Sequence, residues 1–208
     1  MPKKLDKTVK KNSLLFSLLV GAALLDQPLQ AQSLKIDTVN DLPADPASND
    51  PQSGRPMGST NRFTFFSFKN GKQVPNSDSA TSKWDIGIRA TTIIVNGGTG
   101  RAGQGGAYIY SGKFESLTAV PDNATFVGDE NANKLAIPTG SGNGWYTYGG
   151  GVISPTDDKV LVIRTGEGKY AKVQILGYYK GGPDGPGNES RFYTFRYVYQ
   201  PDGSKKLN

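Results

Sequence analysis

Residues 96–106 read NGGTGRAGQGG and hold Gly98, Gly100 and Gly103 in the spacing G-x-G-x-x-G. Glycines so placed let a backbone cradle a pyrophosphate, provided a helix N-terminus follows to supply free N–H groups and a favourable dipole. The apolar run TTIIV at 91–95 precedes them as a strand would. What comes after Gly103 is QGGAYIYSGKF, glycine-rich and then β-like, so neither a helix nor a βαβ unit can be built there. No Lys-Ser or Lys-Thr follows, which removes the Walker pattern as well. The run predicts a wide connection between strands over 84–95 and 107–110, not a phosphate cradle.

The remaining catalytic repertoire is narrow. The chain has no His and no Cys. Ser-His-Asp and Cys-His catalysis are therefore impossible within it, as are the usual zinc sites. Carboxylate chemistry of the glycosidase kind would have to come from Asp85, Glu115, Asp129, Glu130, Asp157 or Asp158, none of which stands in a recognisable context. The oxygen-rich stretch PDGPGNE at 183–189 lacks the spacing of a calcium loop. Asn123-Ala-Thr125 and Asn188-Glu-Ser190 are glycosylation sequons by letter. These residues predict a protein that binds and does not catalyse.

The elements that would carry a binding site are strands. The 208 residues include 27 Gly and 13 Pro, which favours many turns, and ten Tyr with nine Phe, which pack well on a pleated surface. The first 31 residues read as a signal peptide, with Lys3, Lys4, Lys7, Lys10 and Lys11 ahead of the apolar LLFSLLVGAALL at 14–25 and small Ala31 before a cut. Twelve apolar residues fall short of the about 20 a bilayer span requires, so no stable membrane span is expected. Of 24 basic and 18 acidic residues, five Lys and two Asp fall in 1–31, so the net charge drops from +6 to +3 without it. With no basic stripe interleaved with aromatics, nucleic acid is not an expected partner. Absence of Cys excludes disulfides and an N-terminal lipid, so the expected location is periplasmic or secreted without lipid anchorage.

Residues 32–61 predict a Pro-rich flexible linker with one strand at 33–39, because NDLPADPASNDPQSGRPMGSTN is too polar to offset chain entropy. Strands follow at 62–68, 84–95, 107–110, 159–165, 170–179 and 191–200. The pattern places Phe63 and Phe65 opposite Phe66 and Phe68, sets Trp84, Ile86 and Ile88 together, and aligns Tyr193, Phe195, Tyr197 and Tyr199 on one face. GEGK at 166–169 joins two alternating runs as a hairpin. Runs of strands with Gly/Pro turns predict an all-β class: a single antiparallel β domain over 62–203 with long Gly-rich loops.

Six runs together, RFTFFSF, SKWDIGIR, NGGTGRAGQGGAYIYSGKF, GWYTY, VLVIRTGEGKYAKVQI and RFYTFRYVYQPDG, resemble the HmuY family in order and spacing over about 62–203. The resemblance implies an exported haem-binding protein that grips haem between projecting loops and hands it to a TonB-dependent outer-membrane receptor. It also implies axial ligands, two His in the best-known members and Met in some relatives. Here one ligand position falls near Gly150 and the other within GDENANKLAIPTG at 128–140, and neither offers a donor. The only Met outside the leader is Met57. Tyr148, with Tyr146 on the same face and Trp145 beside it, is the substitute haem-binding set, and Tyr148 the candidate for iron, since a phenolate can ligate ferric haem. The pocket is expected where GWYTYGGG meets KLAIPTGSGN. The alternative is a binding module that kept the fold and exchanged haem for a glycan, a peptide or an outer-membrane partner.

Overall fold

In VLVI at 160–163 the side chains alternate between two apolar clusters: Val160 and Val162 lie in one, Leu161 and Ile163 in the other. The same alternation runs through IIV at 93–95 and FF at 65–66. A strand apolar on both faces must be covered on both, which two packed sheets with loops over their outer faces achieve.

The computed structural model describes residues 1–2, 34–45, 48–49, 52, 56–57, 59–185 and 189–208. The chain divides into units of residues 1–32 and 33–208. All described strands belong to the second unit. In order they are β1 (Ile36–Pro43), β2 (Ser48–Asn49), β3 (Pro56–Met57), β4 (Thr64–Ser67), β5 (Lys72–Val74), β6 (Ile86–Arg89), β7 (Thr92–Val95), β8 (Gly106–Ser111), β9 (Tyr146–Gly149), β10 (Val152–Pro155), β11 (Lys159–Arg164), β12 (Tyr170–Tyr179) and β13 (Ser190–Gln200). Helix among the described residues is confined to single 3₁₀ turns at Asn76–Asp78 and Gly182–Asp184.

β1-β13-β12-β11-β8 form a five-stranded sheet and β5-β4-β6-β7 a four-stranded one, both antiparallel throughout; β9 and β10 pair only with each other. The inner faces meet in one core. Phe66 of the smaller sheet packs edge-on against Phe195 of the larger at 5.3 Å and against Tyr197 at 5.9 Å, and Phe68 lies 5.2 Å from Tyr197. Each such ring, fully buried, contributes roughly 1.5–3 kcal/mol. The outer face of the larger sheet is covered by the 113–120 segment, where Phe114, Leu117 and Val120 join Val160, Val162, Val198 and Leu207. Lys172 points the same way, its ammonium donating to the carbonyls of Phe114 (3.0 Å) and Leu117 (2.8 Å), with burial pushing its pKa below the usual lysine value. Phe65, Val74, Trp84 and Ile94 form a third cluster, on the outer face of the smaller sheet.

Four sequence expectations need correction. Residues 84–95 are not one strand but the hairpin β6–β7, turning at Ala90-Thr91 between the paired Arg89 and Thr92. Trp84, before β6, goes to the outer cluster while Ile86 and Ile88 enter the sandwich. The assigned linker is partly domain: β1 pairs with β13 on both sides of a register shift between Val39 and Leu42, and Ala44 is fully buried. Its polar composition misleads because edge-strand hydrogen bonds come from backbone, which composition does not register. At the other end the domain continues past 203, since Leu207 is fully buried and donates its N–H to Thr118 at 2.8 Å.

The glycine run at 97–105 has a packing explanation. A Cβ on Gly97 would collide with the Gly105 backbone, one on Gly98 with Asp129, and ones on Gly103 and Gly105 with Asn96. Its N–H groups are spent on protein acceptors: Thr99 donates to the Asp129 carbonyl (2.8 Å), Gly103 to Asn96 Oδ1 (3.2 Å), Gln104 to Gly166 (3.0 Å) and Gly105 to the Asn96 carbonyl (2.7 Å). Backbones lie too close here for side chains, and those N–H groups are already engaged.

Candidate functional site

The β9–β10 hairpin carries the residues singled out for haem. Gly149 pairs with Val152, leaving Gly150 and Gly151 as a two-residue turn, at φ 58° and 82°. Positive φ at both central positions is the hairpin geometry that matches strand twist, and it selects glycine. Gly150, near which the resemblance led one ligand position to be expected, is thus a turn glycine with no side chain to donate.

The hairpin is fixed at its base. Trp145 packs on Tyr146 (4.8 Å between centroids), Tyr193 (5.0 Å) and Tyr178 (5.9 Å), and its indole N–H donates to the Thr91 carbonyl at 3.1 Å. On the other strand, the Ile153 N–H donates to Tyr179 Oη at 2.9 Å. Trp145 and Tyr146 are buried in the sandwich core. Tyr148 is 59% exposed, although alternation puts it on the Tyr146 side of β9. The hairpin carries the later residue past the end of the core, so the three residues separate into two anchors and one free phenol.

The buried phenols nearby are committed. Tyr193 Oη donates to the Ala90 carbonyl (2.8 Å), Tyr179 accepts from Ile153, and Tyr178 is bonded to the Arg191 side chain. Burial raises the Tyr178 phenol to about 12 and pushes that of Tyr193 well up, so neither offers a phenolate near neutral pH. For ferric haem, the fit on this hairpin is one exposed phenol, Tyr148, with anchoring aromatics behind it.

The loop expected opposite, 135–144, does meet the hairpin. Tyr148 N–H donates to Ser141 Oγ at 2.8 Å and Gly142 N–H to the Tyr146 carbonyl at 2.9 Å. Its start is pinned by Asp129, whose buried carboxylate accepts from Ala136 N–H (2.9 Å) and Val95 N–H (3.0 Å), burial raising its pKa despite both bonds. The cavity this loop borders, of about 360 Å³, lies on the outer face of the four-stranded sheet and is lined by Leu135 and Thr139 but by none of Trp145, Tyr146 and Tyr148. A second hollow, of about 210 Å³, lies beside Asp85 and a group of lysines. Sequence reasoning missed both, because the segments that line each of them lie far apart in the chain. Met57 Cα is in β3, paired with Ser48, and the leader at 1–31 lies outside the described residues apart from Met1 and Pro2. Among the described residues no group of three His, Cys, Asp or Glu could hold a metal, and no helix is long and apolar enough to cross a membrane.

Two antiparallel sheets with an aromatic-anchored projecting hairpin define an all-β protein. The HmuY protein family profile matches residues 59–197, and the chain belongs to that family, a family of binding proteins. A search of curated proteins finds no match. Among solved structures the chain is similar to the apo form of an HmuY analogue from Tannerella forsythia (18% identity, 81% of this chain and 96% of that one, TM-score 0.44). It is also similar to a candidate HmuY-like haem-binding protein from Bacteroides vulgatus (17%, 79% and 91%, 0.46) and a candidate lipoprotein from Bacteroides fragilis (15%, 80% and 92%, 0.46).

Proposed function

We propose that this chain is an exported, non-enzymatic haem-binding protein that holds ferric haem against Tyr148 from one side, with no protein donor opposite. The observation that carries this is the exposure of the Tyr148 phenol at the end of a hairpin whose other aromatic residues are buried. Tyrosinate is an established axial ligand of ferric haem. A single, exposed donor suits a protein that passes its cargo on, and a TonB-dependent outer-membrane receptor is the partner this role calls for. The protein's place of work on this reading is the periplasm or outside the cell.

The test is a titration of purified protein with ferric haem, followed at the Soret band. A shifted, saturable band that weakens at least tenfold in Tyr148→Phe is expected. A spectrum matching free haem throughout rejects the proposal in favour of a second reading, an HmuY-fold module with a ligand other than haem, such as a glycan, a peptide or an outer-membrane partner. The observation favouring that reading is Gly150, a turn residue where the family places a ligand.

A further inference from the structure

The cavity on the outer face of the four-stranded sheet has an apolar floor and one cation with no carboxylate partner among the described residues. Phe63, Ile94 and Leu135 supply the floor, within a volume of about 360 Å³. That is at the small end of the range for ligand sites. Four charged side chains line it. Glu130 is paired with Lys134 at 2.7 Å. Asp129 takes two backbone N–H bonds and lies 3.7 Å from Arg101, which stacks over Trp84 at 5.6 Å.

Arg89 differs from these. Its guanidinium sits 4.5 Å from the Phe63 ring centroid, and Nη1 donates to Asn61 Oδ1 (2.7 Å) and to the Asn61 carbonyl (3.3 Å). No carboxylate among the described residues pairs with it. Stacking and the Asn61 bonds fix the fork and use one of its nitrogens. The remaining donors form the geometry that takes a carboxylate through two parallel bonds. A fixed, unpaired guanidinium over an apolar floor selects a small monoanion with an apolar body.

We infer that this cavity is a second binding site, for a small amphipathic carboxylate whose apolar part lies on Phe63, Ile94 and Leu135 and whose carboxylate meets Arg89. The cavity shares the 128–140 segment in which the resemblance puts the other haem-ligand position, but none of Trp145, Tyr146 and Tyr148 lines it, and the inference does not rest on the haem proposal. The probe is 2-naphthoate, titrated calorimetrically against the protein, with uncharged 2-naphthamide as its control. One saturable site is expected for the acid, with the amide at least tenfold weaker. Arg89→Gln should weaken the acid at least tenfold. Leu135→Trp, which fills the cavity without touching its charge, should abolish binding of both probes. Tyr148→Phe should leave the naphthoate isotherm unchanged, so haem and naphthoate binding are lost by different variants. Absence of saturable naphthoate binding overturns the inference. Equal binding of acid and amide does so too, as does an unchanged isotherm in a folded Arg89→Gln or Leu135→Trp protein.

Discussion

Tyr193 on β13 reaches across the sandwich to donate a 2.8 Å hydrogen bond to the carbonyl of Ala90, in the turn between β6 and β7. Ala90 sits at φ 47°, a left-handed conformation that costs a residue with a Cβ roughly 1–2 kcal/mol. Its surroundings hold it there: the Ala90 N–H donates to the Ala44 carbonyl at 2.9 Å, and the neighbouring Thr91 carbonyl accepts from Trp145. One turn thus ties together β1's end, β13 and the base of the candidate hairpin.

Tyr193→Phe keeps the ring and its packing but strands the Ala90 carbonyl. The expected loss is about 1–2 kcal/mol of stability. Urea unfolding measures it, and a midpoint unchanged from the parent would show that the bond carries no weight.

Gly150→His places an imidazole at the turn beside Tyr148. The position is open, with nothing within 4 Å of a Cβ, so the penalty is confined to the φ of 58°, about 1 kcal/mol. Haem affinity should rise at least tenfold with a change in the Soret maximum. An unaltered titration would place haem away from this hairpin.

Gly105→Ala tests the packing account of the glycine run. Its Cβ would lie 2.5 Å from the Asn96 carbonyl oxygen and 2.6 Å from its carbon, both backbone atoms that cannot turn aside. A loss above about 3 kcal/mol is expected, read from thermal or urea unfolding. ATP or NAD added to the parent protein should leave its melting temperature unmoved.

Asp85 gives the stability a pH dependence. Its carboxylate accepts from Phe68 N–H (2.7 Å) and Gly166 N–H (3.1 Å), yet burial outweighs both bonds and pushes it up to about 6. The folded protein therefore holds this proton more tightly than the unfolded chain does. Its stabilising share is complete below about pH 4 and fades as pH rises through about 6. Between pH 4.5 and 7 the parent should lose about 2 kcal/mol through this group. Asp85→Asn should flatten that slope whatever its absolute stability, and parallel slopes would refute the assignment.

Much of the frame is legible from residue order. Phe63 and Phe65 fall opposite Phe66 and Phe68, Tyr193 through Tyr199 face the core, and GEGK turns a hairpin, because period-two alternation and turn chemistry are local. The break at Ala90 was hidden, since no Gly or Pro marks it and its left-handed turn is held by partners 46 and 103 residues away. The division among Trp145, Tyr146 and Tyr148 was equally hidden. All three are aromatic, and only the point where the hairpin leaves the core tells the anchors from the exposed phenol.

The sequence by itself determined the all-β class, the family, and the exclusion of His and Cys chemistry, because these follow from local periodicity and from which atoms exist in the chain. Only the tertiary structure decided that Gly150 is a turn residue, that Tyr148 alone of its group faces solvent, and that Arg89 overlooks a cavity with an apolar floor and has no carboxylate partner among the described residues. Exposure and charge pairing depend on which distant segments cover a residue, and no stretch of sequence contains its own cover.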